Sequence, residues 1–139
     1  MKAAVTALAM LLAGLALVTT GCGSSSGTVT SKSEEEGSPE EAIEHLGEVR
    51  NALANALAKY RAGEQKAAER IVGDAYLEDF EHIEDVLGER DHVLMEELEE
   101  AISTKLRDKI KAGAPATEVQ VLVESINDDL AKAEDVLNA

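Results

Sequence analysis

The chain has 139 residues, with 13 basic and 28 acidic side chains and a net charge of −15, which leaves room for one modest domain beside any targeting segment. This acidity argues against nucleic-acid binding, because a strongly negative protein repels phosphates. Aromatic residues make up only 2% of the chain, so a core must come from Ala, Leu, Ile and Val. This set of residue types favours helices over strands. No segment long enough for a strand alternates apolar and polar residues with a period of two.

The first 21 residues have the pattern of a secretory signal. Lys2 precedes an apolar run that ends at Val18, which is shorter than the roughly 20 residues of a membrane-spanning helix. Small residues follow, as a cleavage site requires. We therefore expect residues 1–21 to be a signal peptide that is removed.

The five residues Val18-Thr19-Thr20-Gly21-Cys22 resemble the lipobox of bacterial lipoproteins. In that motif, cleavage falls just before the cysteine, and its sulfur receives a diacylglycerol. Gly21 fits the motif, whereas leucine is usual at the position of Thr19. The resemblance implies acyl chains such as palmitate on Cys22, enough to hold the protein stably on the extracytoplasmic face of a membrane. Ordinary signal cleavage with a free Cys22, and an uncleaved anchor, remain the alternatives.

The stretch 22–37 is rich in Ser and Gly and contains almost nothing to bury, which predicts a flexible linker. Helix signals begin directly after it. Ser38 is a good cap before Pro39, and Asp91 is a good cap farther along. Glycines end three of the apolar repeats, at Gly63, Gly88 and Gly113.

Apolar side chains recur at intervals of three and four in each repeat, which predicts helices near 39–62, 64–87, 92–112 and 115–137. The third repeat is the most regular, with an apolar residue at every fourth position: Leu94, Leu98, Ile102, Leu106 and Ile110. The connections are short, and short connections make neighbouring helices antiparallel. We predict an all-α fold for residues 38–139, an up-down-up-down four-helix bundle.

No catalytic constellation is visible in the folded part. The only cysteine is the expected lipid site, and the serines at 38, 103 and 125 lack any Ser-His-acid arrangement. Because no nucleophile can be paired with a base, we do not expect an enzyme.

The second helix carries an acidic stripe, in which four carboxylates are spaced by four, three and four residues: Asp74, Glu78, Glu81 and Asp85. Like charges at these spacings repel one another on a helix, and a hard cation with oxygen ligands would relieve the repulsion. His82 lies beside the stripe and could add a nitrogen ligand. The alternative is a solvated acidic face, which a chain this acidic can carry by chance or as an adaptation to high salt.

The remaining histidines, aromatic residues and acidic segment are interpreted as parts of the surface or the core, without a ligand. We interpret His45 and His92 as surface residues. Tyr76 and Phe80 fit a helix core better than a cofactor contact. The segment Glu96-Glu97-Leu98-Glu99-Glu100 is interpreted as a solvent-facing acidic surface with the leucine pointing inward.

An ordered set of motifs runs through about half of the chain: Ala75-Tyr76-Leu-x-x-Phe80-Glu81-x-x-Glu84, Arg90-Asp91, Glu96-Glu97-Leu98-Glu99 and Ala112-Gly-Ala-Pro115. The set resembles the extracytoplasmic helical domain that precedes the membrane part in bacterial members of the high-affinity iron permease family. By position, Glu81 and Glu84 match the paired glutamates of that family. Around the helix, Glu84 lies between the acidic stripe and the apolar face, so we expect it to be partly shielded. The permease's membrane helices and their iron motifs have no counterpart here, so transport is not carried over.

The resemblance implies a membrane-anchored accessory lipoprotein of iron uptake. Such a protein would bind or present iron, or another hard cation, or would dock on an iron permease. The expected ligands are Glu81 and Glu84, with help from Asp74, Glu78, His82 or Asp85. The alternative is a structural or interaction lipoprotein of the cell envelope that binds no metal and contacts another envelope protein through a helical face.

Overall fold

The computed structural model describes residues 37–139, and this range consists of helices joined by short turns, with no strand. The helices are α1 (Pro39–Arg61), α2 (65–90), α3 (92–111) and α4 (Ala116–Leu137). The predicted all-α class and the four helices are confirmed. The expected signal peptide, Cys22 and all but the last residue of the expected linker lie outside the described residues.

Contacts between the helices confirm the antiparallel order. Arg50 of α1 donates to Glu134 of α4 at 2.7 Å, and Arg61 donates to Gln120 at 2.6 Å, so the two helices run in opposite directions. The helices α2 and α3 also run antiparallel. Glu69 of α2 contacts Arg107 of α3, whereas Tyr76, later in α2, contacts Glu99, earlier in α3. Each helix therefore packs beside its neighbours in the chain, and α4 closes the bundle against α1.

The helix ends follow the sequence signals at most positions. The Ser38 hydroxyl accepts the Glu41 N–H at 3.2 Å, and the Asp91 carboxylate accepts the Leu94 N–H at 3.0 Å. Gly63 and Gly113 follow α1 and α3 with φ of +81° and +69°. A glycine adopts this left-handed conformation without a Cβ clash, which is why it ends a helix well.

The predicted end of α2 at Gly88 is wrong, because the helix continues to Arg90. Asp91 alone separates α2 from α3, and its N–H donates to the Leu87 carbonyl at 2.7 Å. A Cβ placed on Gly88 would lie 3.6 Å from Cε of Met95 on α3. The glycine therefore sits where the two helices fold back tightly on each other, and it does not terminate the first of them.

Both middle helices contain a wide turn that the sequence did not predict. The segments Tyr76–Phe80 of α2 and Glu100–Leu106 of α3 are π-helical. On a regular α-helix a four-residue repeat drifts by about 40° at each step. The five apolar residues of α3 nevertheless remain at most 7% exposed, because the wider turn absorbs the drift.

The core is one apolar cluster to which all four helices contribute. Phe80 is its largest fully buried side chain, and Tyr76 stacks on that ring at the edge of the cluster, with ring centroids 5.9 Å apart. The two alanines Ala42 and Ala56 of α1 also belong to the core. No polar or charged residue of the range 37–139 is classed as buried, so any polar site lies at the rim of the core or on the surface.

Candidate functional site

The acidic stripe of α2 is an exposed surface. Asp74, Glu78, Glu81 and Asp85 all lie in solvent, as does His82. Within residues 37–139, no three side chains of His, Cys, Asp or Glu form a group that could hold a metal ion. A cation on the stripe would need further ligands from water or from a partner, and metal binding there stays a prediction.

Glu84 differs from the stripe because it turns toward α3. Its residue surface is only partly exposed, and its Oε1 atom is buried without a hydrogen-bond partner among the described residues. The sequence predicted this shielding, since Glu84 lies between the stripe and the core around the helix. An ionised oxygen without a partner is unfavourable in such a place.

Tyr76 and Glu99 complete a small polar cluster with Glu84 at the edge of the core. Tyr76 lies at the start of the wide turn in α2, and Glu99 lies directly before the wide turn in α3. The Tyr76 hydroxyl donates to Glu99 Oε1 over a long 3.4 Å. The cluster therefore joins two neighbouring helices through one phenol and two carboxylates.

The cluster changes the acidity of two of its members. Burial, followed by the negative charges of Glu84 and Glu99, raises the pKa of Tyr76 to about 12. Burial also raises the pKa of Glu84, and the charges of Glu99, Glu81 and Asp85 act in the same direction. The nearby hydroxyl of Tyr76 acts in the opposite direction and lowers the pKa of Glu84.

Tyr76 provides one hydrogen beside two carboxylates in this cluster. The Tyr76 hydroxyl has a single hydrogen, and the geometry places it toward Glu99, although the pKa of Glu84 also responds to the same hydroxyl. Whichever carboxylate accepts that hydrogen, the other faces it without a donor. The arrangement therefore favours a positive charge beside the carboxylate that lacks a donor, either a proton on Glu84 or a bound cation.

A second polar contact joins α1 and α2 on another side of the bundle. His45 Nδ1 lies 3.1 Å from Asp79 Oδ1, and the His45 ring stacks on His82 with centroids 4.8 Å apart. The side chain of His45 is 25% exposed, so its interpretation as a plain surface residue missed this contact. Because the two rings are stacked face to face, the nitrogen lone pairs of His45 and His82, which lie in the ring planes, do not converge on one ion.

The acidic segment of α3 largely follows its interpretation. Leu98 is fully buried, and Glu96, Glu97 and Glu100 are exposed. Glu99 is the exception, because it is partly shielded beside Tyr76. Its position around α3 was readable from the sequence, but the ring that stands opposite it was not.

Comparisons of the chain with protein-family models, with curated proteins and with solved structures gave no match. The resemblance to the helical domain of iron permeases therefore stays a prediction. Within the described range, none of the helices combines the length and the apolar character needed to span a bilayer.

Proposed function

We propose that this chain is a lipid-anchored accessory protein of metal uptake whose helical domain binds a hard cation weakly at Glu84 and Glu99. The observation that supports the proposal is a pair of carboxylates on α2 and α3 beside one phenol, in which Tyr76 donates to Glu99 and Glu84 Oε1 is buried without a donor. A cation between them would replace the missing donor. It would also relieve the mutual repulsion that raises the pKa of Glu84.

The structure modifies the ligand set expected from the sequence. Side chains of one helix approach an ion from one side only, so a site on α2 alone would be incomplete. Glu99 supplies a carboxylate from a second helix, and Glu81 is close enough for its charge to act on Glu84. The exposed residues Glu78 and Asp85 would attract cations to the neighbourhood of Glu84 and Glu99 by their charge alone.

Iron is the proposed cation, and the resemblance to iron permeases supports that choice. Carboxylate and phenol oxygens suit hard ions, and the remaining coordination positions would be filled by water or by a partner protein. Binding should be modest, and it should weaken in acid because the carboxylates must be deprotonated to act as ligands. A lipid on Cys22 would keep the domain at the membrane, within reach of a permease.

Titration calorimetry of the purified chain with ferric, ferrous and calcium ions tests the proposal. The double variant Glu84→Gln/Glu99→Gln keeps the shape of the cluster and removes its charge. We expect it to lose most of the affinity of the parent chain. The variant Glu81→Gln should lose less, because Glu81 is exposed and contributes mainly through its charge.

The matched control is the double variant Glu96→Gln/Glu97→Gln, which removes the same charge from an exposed part of α3. If both double variants weaken binding equally, the acidic surface acts only as diffuse charge and the site is wrong. If the parent chain binds none of the three ions, metal handling is refuted.

The second candidate is an interaction lipoprotein of the cell envelope that binds no metal. An open, mostly apolar groove between α3 and α4 favours it, in which Val121 is 65% exposed and Leu122 is only partly buried. A chain that binds no cation yet co-purifies with a membrane protein, and loses that partner on Val121→Glu substitution, would establish this function in place of the first.

A further inference from the structure

Charge is distributed very unevenly along the bundle. The antiparallel order places the turn after α1 beside the turn after α3, at the end of the bundle opposite to the start of α1. We call residues 59–70 and 105–118 at this end the basic end. They hold eight basic and four acidic side chains, whereas the rest of the range 37–139 holds three basic and 21 acidic ones. One end of a strongly negative domain therefore carries a net charge of +4.

Side-chain hydrogen bonds hold the two turns of the basic end together. The Tyr60 hydroxyl donates to the Ala114 carbonyl at 2.5 Å. The Gln65 amide donates to the carbonyls of Ile110 at 2.6 Å and Lys111 at 3.0 Å. These bonds join one helical hairpin to the other, so the backbone positions that carry the basic side chains are fixed relative to one another.

The positive charge of the basic end is open to a partner. Arg61, Lys66 and Arg70 are exposed, and they form no salt bridge with any residue of the range 37–139. Arg61 donates to the neutral amide of Gln120 at 2.6 Å, which leaves its charge uncancelled. Other basic side chains here pair with carboxylates at the surface, as Lys111 does with its side chain 49% exposed. Surface pairs of this kind are weak, so they exchange easily with a new anion.

The electrostatics of helix ends does not explain this separation of charge. Basic residues stabilise the last turn of a helix and acidic residues the first turn, which accounts for Lys59 and Arg61 at the end of α1. Lys66, however, occupies the first turn of α2, which contains no acidic residue. At the other end of the bundle, the last turn of α4 contains Glu134 and Asp135 and no basic residue. Both arrangements are unfavourable for the helix itself, so the separation of charge points to an interaction outside the bundle.

We propose that the basic end docks on an anionic membrane surface. Its eight basic side chains are distributed over α1, α2 and α3 around two turns. A distribution over three helices matches the many headgroup phosphates of a membrane plane better than it matches a single anion. The turns themselves consist largely of small exposed residues, Ala62-Gly63 and Ala112-Gly113, so the longer basic side chains around them can reach a flat surface.

The chain that precedes the bundle is long enough for this orientation. The helix α1 has 23 residues and is about 35 Å long. The 16 residues 22–37 span at most about 55 Å when fully extended. A lipid on Cys22 would therefore let the basic end reach the same membrane, and a basic patch beside a lipid makes anchoring stable. This orientation rests on the proposed lipid anchor, whereas the docking surface itself does not.

Ionic strength gives this mode of docking a distinctive signature. At about 0.01 M salt the Debye length is about 30 Å, close to the length of the bundle, so the acidic part is also repelled by the anionic surface. At about 0.1 M salt it is about 10 Å, and the basic end dominates. At about 1 M salt it is about 3 Å, and the attraction is lost. Binding should therefore be strongest at the intermediate ionic strength.

The experiment measures co-sedimentation of the purified chain with two kinds of vesicle: phosphatidylcholine alone, and an equimolar mixture of phosphatidylcholine and phosphatidylglycerol. At about 0.1 M salt we expect the chain to prefer the anionic vesicles. An apolar N-terminal segment or an acyl chain binds both kinds of vesicle alike, so it cancels in the comparison. Lys66→Gln/Arg70→Gln should weaken binding to the anionic vesicles about tenfold or more.

The matched control is Asn51→Asp/Lys132→Gln, which lowers the net charge by the same amount at exposed positions outside the basic end. It should bind the anionic vesicles as the parent chain does. The proposal is overturned if the parent chain does not prefer anionic vesicles, or if both double variants weaken binding equally. Binding to soluble polyglutamate without a preference for anionic vesicles would overturn it in favour of an acidic protein partner. Neither variant changes Glu84 or Glu99, so this test and the metal titration can fail separately.

Discussion

Leu98 lies in the middle of α3, two residues before the wide turn, and its side chain is fully buried. The substitution Leu98→Ala removes three carbon atoms from the core. At about 0.8 kcal/mol for each buried methylene-sized group, the lost transfer free energy is about 2.4 kcal/mol. The cavity left in a bundle of long helices adds to this, so we expect a total loss of about 2–5 kcal/mol.

The assay is urea denaturation at 25 °C followed by circular dichroism, and Val93→Ala is the control. Val93 is on the same helix but is 64% exposed, so its truncation should change the free energy of unfolding by less than about 0.5 kcal/mol. A domain of this size has a total stability of roughly 5–15 kcal/mol, so the loss at Leu98 would be a large share of it. A loss at Leu98 no greater than that at Val93 would refute the assigned core face of α3.

Three further predictions concern acidity and anchoring. Folding raises the pKa of Glu84, so the stabilising contribution of this group is complete below the ordinary glutamate pKa and disappears as pH rises through the raised value. Glu84→Gln should therefore raise the melting temperature at pH 7 and not in acid. An equal rise at both pH values would contradict this. In an absorbance titration, Tyr76 should ionise near pH 12, a late step that Tyr76→Phe removes. A chain in which Tyr76 ionises near the ordinary tyrosine value of about 10 would disprove the cluster. Cys22→Ser should release the protein from the membrane fraction or leave an unprocessed precursor, and a variant that is processed normally and stays membrane-bound would exclude lipidation at Cys22.

The fold was largely predictable because its signals are local. Caps such as Ser38 and Asp91 act within three residues, and the apolar repeats report directly which side of each helix is buried. Gly88 shows the limit of this reasoning. A glycine can end a helix or can let a neighbouring helix approach, and only the position of Met95 on α3 distinguishes the two roles.

The polar clusters were predictable only in part for the same reason. A sequence gives the angle of a residue around its helix, which was enough to predict that Glu84 is shielded. It does not give the side chain that stands opposite on the next helix. Glu99 opposite Tyr76, His45 opposite Asp79, and Arg107 over Gly73 all depend on how two helices are placed side by side.

Because of its wide turn, α3 could lose one residue and still keep its apolar residues buried. The five apolar residues of α3 are spaced by four at every step, and over these four steps the chain contains about one residue more than a regular α-helix needs to keep them on one face. Removing Thr104, whose side chain is exposed, would leave the apolar residues at successive spacings of four, four, three and four, which a regular α-helix keeps closer to one face. The same core could then be built from a helix one residue shorter, so a one-residue deletion within the wide turn would leave the buried face of α3 intact.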